Sequence, residues 1–142
     1  MQAPEERIHK FIGKHHVFTL ATTVAGQPWC TSCFYAYWQN RVSLVFTSEQ
    51  HTRHVNEFTK NKQVAGTIHL ETKIVGMIRG IQFIGEVVRP DEAETARLIY
   101  LKRFPFAVFM DSEFWVLRID SIKMTDNRLG FGKKIHWTRD EN

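Results

Sequence analysis

The chain is poor in cysteine and proline: its 142 residues hold only Cys30, Cys33 and four prolines. Two thiols exclude a disulfide-stapled scaffold and point to a reducing compartment. No signal peptide is recognisable, so the expected location is the cytoplasm. Also missing are a P-loop, a dinucleotide glycine fingerprint and a Ser-His-Asp order, which removes the common signatures of nucleotide hydrolysis and triad hydrolysis. There is no repeat, linker or low-complexity segment, and one domain over 1–142 is expected. Acidic and basic residues are absent from Val17 to Asn40. That run is long enough to cross a bilayer, which takes about 20 apolar residues. Its middle reads "VAGQPW", however, and it carries Thr19, Thr22, Thr23, Thr31 and Ser32. Such punctuation inside a Thr- and aromatic-rich run describes two strands and a turn, not a membrane helix.

What is present is globular. Apolar residues make up 43% and charged residues 24% of the chain, enough for one core that buries roughly two-thirds of the unfolded surface. Aromatics reach 13%, with eleven Phe and four Trp; they favour strands and suit flat ligands. A net charge of +4 admits an anionic ligand without demanding nucleic acid. The basic residues do not interleave with aromatics along one strand face, which argues against an oligonucleotide-binding barrel.

Residues 5–15 place Ile8, Phe11, Ile12 and His15 on one helical stripe. "HVFTLATT", "WCTSCFYAYW" and "VSLVFTS" follow as a meander, in which Val42, Leu44 and Phe46 alternate with Ser43, Val45 and Thr47. A short helix is expected at about 52–59, then strands "QVAGTIHL" and "IRGIQFIGEVVR". "PDEAETARLIYLKRF" is the clearest helix, with Ala93, Ala96, Tyr100 and Phe104 as its inward stripe. "FWVLRIDSIKMT" returns to strand, and "GFGKKIHWTR" either closes a barrel or crosses to a partner. The expected class is mainly β with α additions, a six-stranded antiparallel barrel.

Cys30-x-x-Cys33 followed by His51-x-x-His54 has the look of a zinc set. Yet strand residues three apart point to opposite faces, and an HxxH pair falls outside the usual ligand spacing. No metal is expected. "FTSEQHTRH" supports another chemistry. A strand ends at Thr47 and a helix starts near Thr52, presenting unpaired N–H groups to an anion. Thr47, Ser48 and Thr52 add hydroxyls, and Arg53 adds a guanidinium suited to phosphate. The plainer alternative is that Ser48 or Thr52 caps the helix and Arg53 is solvated.

"GQPWCTSCFYAYW" followed by "VSLVFTSEQHTRH" resembles the opening of the pyridoxamine-phosphate-oxidase-like, FMN-binding split barrels. "IRGIQFIGEV", "RFP" and "IKMTDNRLGFGKKIHW" are similar to the uncharacterised YhbP-type family within them, a likeness running from about residue 7 to 139. The resemblance implies a homodimer with FMN at its interface and an unknown small-molecule substrate. It places the backbone of Ser32, Cys33 and Phe34 along the isoalloxazine, Phe46 and Thr47 at the ring and ribityl chain, and Thr52 and Arg53 at the phosphate. Many members carry Arg where this chain has Thr31, so pyridoxamine phosphate oxidation itself is not implied. Gln82 either completes the flavin's polar edge or lies on a solvent face. Trp115 either stacks near the ring or packs in the core. Lys133 and its neighbour Lys134 either reach phosphate or form a solvated turn. The activity implied is an FMN-dependent oxidoreductase or flavin reductase; the alternative is a non-catalytic flavin- or haem-binding module.

Overall fold

The computed structural model describes residues 2–110 and 112–140. Eight strands form one antiparallel sheet: β1 (Val17–Val24), β2 (Gln27–Phe34), β3 (Ala36–Trp38), β4 (Ser43–Ser48), β5 (Gln63–His69), β6 (Arg79–Val88), β7 (Glu113–Asp126) and β8 (Lys134–Thr138). The helices are α1 (Glu6–Lys14), α2 (Arg53–Lys60) and α3 (Ala93–Arg103). The sheet order is β2-β1-β5-β6-β7-β4-β3, with β8 paired to β7.

Among the described residues the strands number eight, where six were expected. Two local events account for the difference. The chain leaves the β1 pairing after Phe34 and re-pairs at Ala36 with β4, so one apparent strand becomes β2 and β3. β7 is long enough to serve two neighbours on one edge, β4 along Glu113–Arg118 and β8 along Ser121–Thr125. β6 pairs along almost all of β7, with one irregularity between Ile84 and Gly85. A Cβ on Gly85 would lie 2.2 Å from the Arg118 carbonyl oxygen, so the bulge needs glycine.

The β1–β2 hairpin turns through Ala25 and Gly26, both at positive φ (53° and 79°), the twist a two-residue hairpin needs. Pro28 follows in β2, an edge strand where the missing N–H costs no ladder bond.

The curled sheet wraps a core that includes Phe18, Leu20, Leu44, Phe46, Phe58, Ile81 and Leu117. Ile8, Phe11 and Ile12 of α1 close it from one end. A smaller core lies behind β4, where Val45 and Val116 meet Ala96 and Tyr100 of α3. This explains why β4 is buried on both faces from Ser43 to Phe46 although its sequence alternates. On α3, Ala93 is exposed, a correction to the expected stripe: the first turn of the helix projects past the edge of that core. Arg103, at the end of α3, donates to the carbonyl oxygens of Gly13 (2.8 Å), Lys14 (3.3 Å) and His15 (2.7 Å).

Candidate functional site

β4 delivers Thr47 and Ser48 to the rim of the core, and the chain then turns into α2 at Thr52. The Thr52 hydroxyl donates backward to the Glu49 carbonyl at 2.8 Å, so no side chain caps α2. The first N–H groups of that helix stay available to an anion. His54 Nε2 lies 2.8 Å from Ser48 Oγ and 3.4 Å from Thr52 Oγ1, which gathers both hydroxyls on one side of the helix start. Burial lowers the His54 pKa, favouring the neutral imidazole. A Ser–His contact invites comparison with a nucleophile and its base, but no acid orients the His54 ring among the described residues, and that chemistry lacks its third member.

Arg53 is oriented from two directions. Its Nε donates to Glu57 Oε2 at 2.8 Å, and its guanidinium lies 4.1 Å from the centre of the Trp29 ring. Glu57 also accepts from Thr22 Oγ1 at 2.7 Å. The hydrogen bonds from Arg53 and then Thr22 hold the Glu57 carboxyl below its ordinary pKa. Only Nε of Arg53 is engaged among the described residues, leaving the fork of terminal nitrogens for a phosphate.

The other expected site residues separate into two groups. Ser32 and Phe34 are exposed on β2, and Phe34 stacks beside His16 at 6.2 Å. Cys33 points inward, bonded to Ser48, and burial pushes its thiol up to about 11. Cys30 is exposed, so the two thiols face opposite sides of β2. Phe46 is fully buried, edge-on to Phe18 (5.4 Å) and Phe58 (6.0 Å); its side chain belongs to the core. Thr47 Oγ1 is buried and has no hydrogen-bond partner among the described residues. Trp115 packs edge-on to Phe58 at 4.8 Å with Arg89 over its face at 4.1 Å, and its Nε1 likewise lacks a partner among the described residues.

Gln82 and Lys133 do not join this cluster within one chain. Gln82 faces a shallow groove of about 530 Å³ across β1, β5, β6 and β7, lined by Thr19, Ala21, Ala65, Thr67 and Ile84. Lys133 is exposed in the turn before β8. Two features escaped the sequence reading: the Arg53–Glu57–Thr22 chain, for which the i, i+4 spacing was a visible signal, and the seat of Arg53 on Trp29.

A curled antiparallel sheet with a helix-capped end defines the split-barrel class. Among solved structures, a haem-binding protein from Mycobacterium smegmatis superposes with a TM-score of 0.81 at 20% identity, covering 97% of this chain and 59% of its own. The chain thus spans little more than half of that protein. A FAD-binding protein from Mesorhizobium loti superposes at 0.71 with 15% identity, covering 84% of this chain and 92% of its own. At these identities the likeness is one of fold. The chain itself belongs to the UPF0306 family: it is 42% identical over 134 residues to a UPF0306 protein of Photorhabdus laumondii, covering 93% of this chain and 94% of that one. No family model matches the chain. No described helix is long and apolar enough to cross a membrane.

Proposed function

We propose that this chain binds FMN and acts, as a cytoplasmic homodimer with the cofactor between subunits, as an oxidoreductase or flavin reductase on a small molecule. The motifs "IRGIQFIGEV" and "IKMTDNRLGFGKKIHW" support reading it as a YhbP-type member of the pyridoxamine-phosphate-oxidase-like split barrels. The observation that carries the cofactor reading is the convergence at the start of α2. Uncapped N–H groups, the Ser48 and Thr52 hydroxyls and an Arg53 fork held by Glu57 and Trp29 form one anion cradle. The orphaned Thr47 hydroxyl beside it is a buried donor that fits a ribityl oxygen, since an unpaired buried hydroxyl costs about 1–3 kcal/mol.

When bound, FMN would supply hydride transfer, and the protein would supply binding and orientation. The backbone of Ser32, Cys33 and Phe34 would flank the ring, and the buried Cys33 thiol, held protonated, would add no charge there. Gln82, which lines the groove and not the cradle in its own chain, fits a role contributed from the second subunit. Phe106 and Phe109, both strongly exposed, are further apolar area suited to burial between copies.

The test is a visible spectrum before and after FMN addition, repeated for Arg53→Ala. A flavin band that titrates onto wild type and needs at least tenfold more FMN in the variant supports the reading; no bound band in wild type overturns it. Reduction by NADH or NADPH without oxygen then tests the redox role, and failure of both removes it.

A second reading, haem binding, is favoured by the exposed His16–Phe34 pair, an imidazole beside a flat apolar ring. A Soret band lost in His16→Ala would support it, and no spectral change on haem titration would dismiss it.

A further inference from the structure

Of the string "TDNRLGFGKK", the flavin reading uses only the two lysines at its end, and the residues before them have no role in it. The string ends β7, and its Arg128 lines a cationic cavity of about 430 Å³ between α1 and the paired residues Arg79 and Asp126 at the start of β6 and the end of β7. The cavity is lined by Arg7, Lys10, Lys14, Arg79 and Arg128, with Glu6 and the apolar side chains of Phe11 and Met124. Arg7, Lys10 and Lys14 recur at i, i+3, i+7, one face of α1.

Two of these cations are fixed from behind. Asp126 is fully buried and accepts from Arg7 Nη1 (3.0 Å), Arg128 Nε (3.1 Å) and Arg128 Nη2 (3.0 Å), as well as the Arg128 backbone N–H (3.0 Å). One carboxylate thereby orients two guanidinium groups toward one opening. Lys10, Lys14 and Arg79 have no ion pair among the described residues. Arg79 Nε is buried and unpartnered among them as well, a donor left without an acceptor beside its cross-strand carboxylate neighbour. Five cations against the carboxylates of Glu6 and Asp126 leave a net +3 (5 − 2) around the cavity. Like charges confined this closely are destabilising unless an anion joins them.

We propose that this cavity is an anion site for an oligophosphate group, free or carried on a nucleotide. Five cationic side chains, net +3, spread over a helix and two strand ends match phosphate oxygens distributed along a chain better than one compact monoanion. Arginine forks supply paired donors, and lysines add mobile point charges. The site lies at the opposite end of β7 from the segment that pairs with β4, so it is separate from the α2 cradle within one chain.

Calorimetric titration of the whole protein with inorganic triphosphate tests this, with ATP, monophosphate and citrate in parallel. One saturable site is expected, weaker at higher salt and at least tenfold weaker for monophosphate. Arg79→Gln should weaken triphosphate tenfold or more, and so should Lys10→Gln/Lys14→Gln, whose side chains are exposed and make no ion pair among the described residues. Arg53→Ala should leave it unchanged. ATP binding as tightly as triphosphate, or more tightly, places the phosphate chain in the site with or without help from the base. Absence of saturation, binding that survives both variants, loss of binding in Arg53→Ala, or tighter binding of citrate would each overturn the proposal. Flavin binding is read separately by its visible band, so failure here leaves that reading standing.

Discussion

Replacing Asp126 by Asn tests the anchor beneath the basic cavity. The carboxylate is inaccessible to solvent and makes four hydrogen bonds, three from guanidinium nitrogens and one from a backbone N–H. Breaking a fully buried ion pair costs about 3–5 kcal/mol. Here the side chains of Arg7 and Arg128 remain 39% and 40% exposed and can turn to water, and asparagine keeps one acceptor for the Arg128 N–H. The expected loss is therefore smaller, about 2–3 kcal/mol. With an m-value of about 2 kcal/mol/M, the urea midpoint at pH 7 should fall by about 1–1.5 M with m unchanged. The pH dependence is an independent check. The hydrogen bond from Arg128 is the largest influence on Asp126, which is held down to about 2 from an ordinary 3.8. A depressed carboxyl stabilises the fold above its unfolded pKa, and that contribution drains away as pH falls through the folded value. The difference between wild type and Asp126→Asn should thus be constant above about pH 4 and shrink toward pH 2; taking the difference cancels the other carboxyls. A loss under 0.5 kcal/mol, or a difference that does not change between pH 4 and 2, would refute the reasoning.

Three further outcomes are expected. A maleimide at pH 7 should label exposed Cys30 and spare Cys33, whose thiol is buried and pushed up to about 11; mass spectrometry showing equal labelling would contradict the inward placement of Cys33. Gly85→Ala should lower stability by about 3 kcal/mol or more, because the new methyl meets the Arg118 backbone at 2.2 Å and Leu117 at 2.9 Å; a melting temperature within 2 °C of wild type, against the several degrees expected, would show that the β6–β7 bulge yields. Thr47→Val should leave the flavin-free protein as stable or up to about 1 kcal/mol more stable, since it removes an unpaired buried hydroxyl, while weakening FMN in the spectral titration. Unchanged FMN affinity would remove Thr47 from the site.

The local physics of this chain was legible where one face of an element does one job. The α1 stripe of Ile8, Phe11 and Ile12 is buried as its spacing requires, and the divergence of Cys30 and Cys33 follows from strand alternation alone. Legibility failed where a second layer intervened. Val45 reads as a solvent-facing position until α3 covers it, and Phe46, placed beside a ligand by resemblance, is instead held in the core by Phe18 and Phe58. The strand count failed for a related reason: β7 exchanges one neighbour for another midway along an edge, which no periodicity records. In the candidate site, the proximity of Ser48 to Thr52 and Arg53 was set by a short loop and could be read. The distance of Gln82 and Lys133 from them is a matter of sheet order. Asp126 carries no mark of its burial, because nothing in a sequence shows which carboxylate will be covered.

The Arg103 clamp bears on how this protein is made. A helix of nine residues is marginal by itself, and the carbonyls at its C-terminal end find their guanidinium partner 88 to 90 positions later. The C-terminal end of α1 therefore waits on α3: a chain cut short of Arg103 would leave these three carbonyls without their guanidinium partner.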